Sequence, residues 1–324
     1  MIVLLSGAAL VLLASVHLTH GLDRLGELLG LSEGLLGLLT ALGANAPEIA
    51  AAVTALLSGE HDVGFGLVLG SNLFNLAGLL GLSALLIGQI EQDRPGLLLH
   101  GTAAVATTLA VAALVLGWLA PVWTLTLVVL IFAAYVALLT LPPRRLRRLP
   151  LPGAAALAAS LYAEDAGCQK EPGDKPGDWT PVWMTLPALA AIVGGSVEMV
   201  HAALLLGRTW HVPTAITGAL VLAALTGLPN VYAALRLARQ GRGGAVVSET
   251  LNSNTLNLLV GIAVPAGVFG LGRNGANSVF AAAFLLGLTL TALGLLFWLR
   301  RLPRWGGAVV IALYLVFVFV RLKA

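Results

Sequence analysis

Charge is scarce in this chain. Asp, Glu, Lys and Arg make up only 10% of its 324 residues, and 58% are hydrophobic, whereas a soluble domain carries about 25% charged residues. With mean hydropathy at +0.94, too little polar surface is left to clothe a water-soluble fold, which implies an integral membrane protein. Cysteine is nearly missing as well: Cys168 stands alone, which excludes an intrachain disulfide. No cluster of His and Cys offers a soft metal site. His-Glu-x-x-His, a Gly-x-Ser-x-Gly elbow and paired catalytic aspartates are all absent, so an intramembrane enzyme is not expected, nor any cofactor. The net charge of +3 is not gathered on one face or stripe, which argues against a nucleic-acid partner. Met1–His17 lacks a basic leader and Arg24 follows it, so the first apolar segment is expected to stay in the membrane rather than be cleaved.

What the chain does have is long apolar runs. A crossing needs about 20 apolar residues, and that rule gives ten spans, at roughly 2–19, 31–57, 62–88, 97–119, 122–140, 182–206, 213–238, 244–270, 277–299 and 306–321. The one long polar stretch runs from Leu141 to Asp178 and is read as a flexible linker, because its Glu, Asp, Pro and Gly cannot bury a core. The expected organisation is therefore two five-helix units, 1–140 and 181–324, joined by a linker over 141–180. Fourteen of the 18 basic residues follow odd-numbered spans. That bias predicts a cytoplasmic linker and two outside termini. A prokaryotic inner membrane suits the short loops.

Two strings interrupt the apolar pattern, Gly43-Ala44-Asn45-Ala46-Pro47-Glu48 and Gly70-Ser71-Asn72-Leu73-Phe74-Asn75. Both return 182 positions later with no gap, as Thr226-Gly227-Leu228-Pro229-Asn230 and Asn252-Ser253-Asn254-Thr255-Leu256-Asn257. Pro47 falls on Pro229, Glu48 on Asn230, Ser71 on Ser253, Asn72 on Asn254 and Asn75 on Asn257. Because each half has an odd number of spans, the second copy enters from the opposite side. The fold class expected is thus all-α, with ten transmembrane helices in two inverted-topology repeats. Secondary transporters use that architecture to build an ion site at the bilayer midplane.

Glu48, Asn75, Asn230 and Asn257 lie near the middle of four different spans and can converge at one depth. Ser71 shares a helix face with Asn75, and Ser253 with Asn257, each four residues apart. Pro47 and Pro229 cannot donate to the carbonyls of Gly43 and Leu225, leaving free acceptors that are tolerable only beside a cavity or ligand. Hydroxyls, carboxamides, carbonyls and one carboxylate are hard oxygen donors suited to Na⁺ or Ca²⁺. An asparagine in a membrane helix can also serve simply as packing glue, and that alternative stays open for Asn72 and Asn254.

At these residues the chain resembles the cation/Ca²⁺ antiporter superfamily, the sodium/calcium exchangers and their relatives, marked by G-[TS]-S-x-P-E and G-S-N-x-x-[ND] motifs in two inverted repeats. The resemblance implies alternating access at a midplane cation site, held by Glu48, Asn75, Asn230, Asn257, Ser71, Ser253, Asn45 and Thr226. It also implies a second glutamate where this chain has Asn230. With one carboxylate, Na⁺ would be neutralised and Ca²⁺ would keep a charge at low dielectric, so a monovalent cation/H⁺ exchanger stands as the alternative. A non-transporting ion-binding relative is the third. Partners are small inorganic cations and the lipid bilayer. Glu198, paired with His201 three residues on, is the best candidate for a second functional carboxylate, with a packing or gating role as the alternative. Glu249 lies roughly 12 Å from Asn257 along a helix, too far for one coordination shell unless the helix breaks.

Overall fold

A computed structural model describes residues 2–29, 33–150, 153–159, 179–210, 217–270 and 276–323. Cys168 and the charged run Ala163–Asp178 lie outside the described residues. Helices dominate: α1 (Ile2–Leu28), α2 (Glu33–Leu57), α3 (His61–Asn75), α4 (Leu82–Ile87), α5 (Arg94–Val115) and α6 (Pro121–Thr140) come from the first half. The second half gives α7 (Thr185–Thr209), α8 (Ala223–Arg239), α9 (Gly243–Leu258), α10 (Val264–Phe269), α11 (Ala276–Leu299) and α12 (Arg304–Lys323).

The element boundaries repeat the spacing found in the sequence. The starts of α3 and α9, at 61 and 243, differ by 182, as do those of α4 and α10 at 82 and 264, and of α5 and α11 at 94 and 276. Between α3 and α4 lies a π-helical turn, Leu76–Gly81, and between α9 and α10 another, Leu259–Ala263. Such turns hold an extra residue and tend to mark functional sites.

Among the described residues, seven helices are long and apolar enough to cross a membrane, or eight if the bent pair Leu220–Leu228 and Asn230–Arg239 is one span. The expected spans missing from that set are those over 31–57 and 244–270. For the first, the continuous apolar run is Ala41–Leu57, too short to cross alone; the second carries the polar run from Asn252 to Asn257.

α3 is buried along nearly its whole length and so is α9 from Val246 onward. These two helices form the centre. Phe65, Leu69 and Leu73 of α3 share one apolar cluster with Leu251 and Leu258 of α9, Leu285 of α11 and Phe317 of α12. The periphery is the reverse. In α6 only Thr124, Val128 and Tyr135 are buried, while Val122, Trp123, Leu127 and Leu130 face outward. An apolar outer belt of this kind is unfavourable in water and is what lipid tails require.

The segment expected as a flexible linker is ordered at its start. Pro143–Leu146 forms a helical turn and Leu146 is buried. Residues 154–159 are helical, and Leu157 packs against Leu99, Ala103 and Tyr135. Two short strands, β1 (Gln89–Glu91) and β2 (Arg301–Pro303), pair antiparallel with Ile90 opposite Leu302. They tie the end of α4 to the start of α12.

Candidate cation site

The polar residues of the two strings meet at the centre of the helix bundle. Asn45 and Glu48 come from α2, Ser71, Asn72 and Asn75 from α3, Asn230 from α8, and Ser253, Asn254 and Asn257 from α9; each is at most 2% exposed. Helix geometry explains the convergence. Positions three or four apart share a face, so one stripe of each helix is polar and turns inward, while the rest is apolar and packs.

Glu48 is the only carboxylate of the cluster. Its Oε2 accepts from Asn257 Nδ2 at 2.5 Å, and Ser71 and Asn75 adjoin the carboxyl group from α3. Asn257 Nδ2 also donates to Asn72 Oδ1 at 3.1 Å. On the other side, Asn230 Nδ2 donates to Asn45 Oδ1 at 3.1 Å, and Asn45 Nδ2 donates to Ser253 Oγ at 2.9 Å and to the Ala41 carbonyl at 2.6 Å. The two halves therefore interlock residue by residue. Thr226, though buried, turns its hydroxyl to the Leu222 carbonyl of its own chain segment at 2.9 Å and stands apart from the network.

The amide protons are largely used and the oxygens are not. Glu48 Oε1 and the carboxamide oxygens of Asn75, Asn230 and Asn257 are buried without a hydrogen-bond partner in the protein. An unpaired buried acceptor costs about 1–3 kcal/mol, so four together make an environment that a desolvated cation would relieve. The donor set is all oxygen, with a single negative charge.

Backbone features support the same centre. The axis bends by 46° between Leu220–Leu228 and Asn230–Arg239, where the sequence has a proline with no backbone amide to donate. Gly227, on the same segment, sits against Glu48: a Cβ there would lie 3.3 Å from Glu48 Oε1 and 2.7 Å from the Phe74 ring. The π-helical turns Leu76–Gly81 and Leu259–Ala263 begin directly after Asn75 and two residues beyond Asn257.

Other acids fall elsewhere. Glu198 is exposed on α7, as is His201, because the buried face of that helix is made by Met199, Val200, Ala202 and Ala203. The expected second functional carboxylate does not reach the cluster. Glu249 lies on α9, which is continuous α-helix through Leu258, so two full turns separate it from Asn257. The sequence reading passed over Gly227, Phe74, His100 and Tyr135. Gly227 and Phe74 had a weak signal, their places in the two strings; His100 and Tyr135 carry none that a single sequence displays.

The family profile described as "Sodium/calcium exchanger protein" matches residues 1–148 and 180–323. The chain belongs to the sodium/calcium exchanger family. Mouse sodium/potassium/calcium exchanger 4 is 38% identical over 132 residues, covering 38% of this chain and 21% of the mouse protein. Chicken sodium/potassium/calcium exchanger 2 is 27% identical over 165 residues, 43% of this chain and 25% of its own length. The matches thus span a fifth to a quarter of these curated exchangers. Among solved structures, the H⁺/Ca²⁺ exchanger CAX superposes with a TM-score of 0.75 at 17% identity, covering 98% of this chain and 81% of that one. The sodium-calcium exchanger NCX_Mj gives 0.62 at 20% identity, covering 98% and 96%. At such identities these superpositions establish the exchanger fold of this chain. It is an integral membrane protein of that family.

Proposed function

We propose that this protein is a secondary cation antiporter that binds its ion among Glu48, Asn75, Asn230, Asn257, Ser71, Ser253 and Asn45, with Thr226 at the margin, and exchanges it by alternating access. The observation that carries this reading is the set of four unpartnered, buried oxygens around one carboxylate, contributed by α2, α3, α8 and α9. Na⁺ and Ca²⁺ are the ions such donors suit, and the names of the similar exchangers agree with that choice. Under this reading the chain has ten spans in two inverted units, 1–140 and 181–324, with a cytoplasmic 141–180 segment, both termini outside, and a prokaryotic inner membrane as its home. The bend between Leu220–Leu228 and Asn230–Arg239 and the polar residues carried by α2 and α9 are what midplane ion sites ask of their helices.

Asn230 favours a second reading. It occupies the position matching Glu48, and without a second carboxylate a bound Ca²⁺ keeps a net positive charge, whereas Na⁺ does not. Exchange of a monovalent cation for H⁺ follows from that charge count.

Flux of ⁴⁵Ca²⁺ and ²²Na⁺ into proteoliposomes, wild type beside Glu48→Gln, with Na⁺ and pH gradients imposed separately, tests both. Ca²⁺ uptake driven by outward Na⁺ and lost in the variant supports sodium/calcium exchange. Glu48-dependent Na⁺ flux driven only by the pH gradient supports the monovalent reading. Absence of any Glu48-dependent flux overturns both.

A further inference from the structure

His100 is 2% exposed on α5, with no part in the cluster described above. Its Nδ1 lies 2.8 Å from the hydroxyl of Tyr135 on α6. That hydroxyl donates to Asn252 Oδ1 on α9 at 2.5 Å, and Asn252 Nδ2 donates to Ser248 Oγ at 3.3 Å. Since the tyrosine proton is spent on Asn252, Nδ1 must be the donor in the first bond. The neutral ring then has its lone pair on Nε2, and Nε2 is buried without a hydrogen-bond partner. The chain is a three-helix relay with an empty proton-acceptor position at one end. Its other end, Asn252, precedes Ser253, which holds Asn45 and through it Asn230.

We propose that His100 is a proton-binding site coupled to the cation site through Tyr135 and Asn252, so that the protein binds a proton and a cation competitively at two separate places. This rests on the reading of the cluster as a cation site. A proton taken up from water at Nε2 leaves imidazolium, whose Nδ1–H bond to Tyr135 becomes charge-assisted and in turn strengthens the Tyr135 bond to Asn252. The extra positive charge opposes a cation held one residue further along α9 in a medium that screens poorly. Cation binding must lower the proton affinity of His100 by the same factor, because linkage is reciprocal.

Among the described residues the surroundings leave few competing charges. Asp93, at the N-cap of α5, bears on the ring electrostatically. Tyr135 is the sole titratable residue of α6, Glu249 that of α9, and α11, packed along α5, has none. The relay also answers a difficulty of the single carboxylate: a proton could be exchanged without Glu48 having to release its cation and take up that proton at the same oxygen.

The test is ¹⁵N NMR of detergent-solubilised protein labelled at histidine. The His100 ring is assigned as the signal missing from His100→Gln. If that variant does not fold, Tyr135→Phe assigns the same ring, since the hydroxyl it removes bonds His100 Nδ1 as well as Asn252 Oδ1. The expected result is titration of Nε2 between about pH 4 and 8, with proton affinity lowered roughly fivefold or more in saturating Na⁺ or Ca²⁺ and this shift reduced in Tyr135→Phe. A His100 that does not titrate, or whose midpoint ignores both ions while the protein binds them, overturns the inference and leaves the cation site standing. Binding of neither ion by wild type overturns the cation site, and the coupling with it.

Discussion

Asn72 and Asn254 donate to each other's backbone carbonyls, Asn72 Nδ2 to Asn254 O at 3.0 Å and Asn254 Nδ2 to Asn72 O at 3.2 Å. The two residues are 182 positions apart, equivalent in the two strings, and their bonds are mirror copies across the contact of α3 with α9. Such a pair locks the crossing of the two central helices where carboxamides would otherwise find no water.

The pair is symmetric in its bonds but not in its consequences. Asn72 Oδ1 also accepts from Asn257, whereas Asn254 Oδ1 has no partner. Asn72→Ala and Asn254→Ala are each expected to destabilise by about 0.5–1.5 kcal/mol, the net worth of a buried hydrogen bond to a carbonyl that keeps its helix partner, read as a lowered melting temperature in detergent. Only Asn72→Ala is expected to weaken Na⁺ or Ca²⁺ binding as well, since it releases Asn257. Equal loss of affinity in both variants would show that the amide pair acts on the site only through helix packing.

Asn230→Glu restores a second carboxylate facing Asn45. Without a cation the new acceptor opposes Asn45 Oδ1, so stability is expected to fall. With a divalent ion the charges balance, and Ca²⁺ affinity relative to Na⁺ is expected to rise at least roughly tenfold, because ligand charge sets Ca²⁺ affinity. Calorimetric titration measures the ratio. If it does not move, Asn230 is no ligand.

Gly227→Ala places a methyl 2.7 Å from the Phe74 ring and 3.3 Å from Glu48 Oε1. Overpacking of this size costs about 1–3 kcal/mol, and the displaced carboxylate is expected to lose much of its cation affinity. Phe74→Leu in the same chain is expected to recover part of the stability. A Gly227→Ala protein with wild-type ion binding would mean that Glu48 has more freedom than its neighbours imply.

Gly243→Ala probes a different contact. Its Cβ would fall 2.6 Å from Glu91 O and 2.7 Å from Glu91 N, both backbone atoms of β1. Neither can swing aside, so the start of α9 must pull away from the strand. A drop in melting temperature with little change in ion affinity is expected, because the cluster lies more than two turns further along α9. Loss of affinity equal to that of Gly227→Ala would instead tie β1 to the site.

Much of this was legible in the sequence. The spacing of 182 located both central helices, and proline with asparagine in apolar surroundings marked the residues that gather at the centre. Helix phase was harder. Glu198 was the best candidate for a second functional carboxylate on a linear string, yet its helix turns it outward, and only packed neighbours reveal that. His100 and Tyr135 sit 35 positions apart with no motif between them; their meeting is a fact of how α5 and α6 cross. Thr226 followed the motif but bonds within its own helix, as threonine hydroxyls in membrane helices readily do.

The pairing of β1 with β2 sets a schedule for the growing chain. Gln89 and Arg301, which hydrogen-bond across the two strands, are 212 positions apart. At about 5–20 residues per second, the ribosome needs roughly 10–40 seconds after making the first strand before the second exists. Through that interval the early half waits with an unpaired backbone edge, and its three residues are short enough to keep the edge from recruiting a stranger. A nascent chain halted before Arg301 would have every residue of the cation cluster and still lack the clasp that closes the molecule.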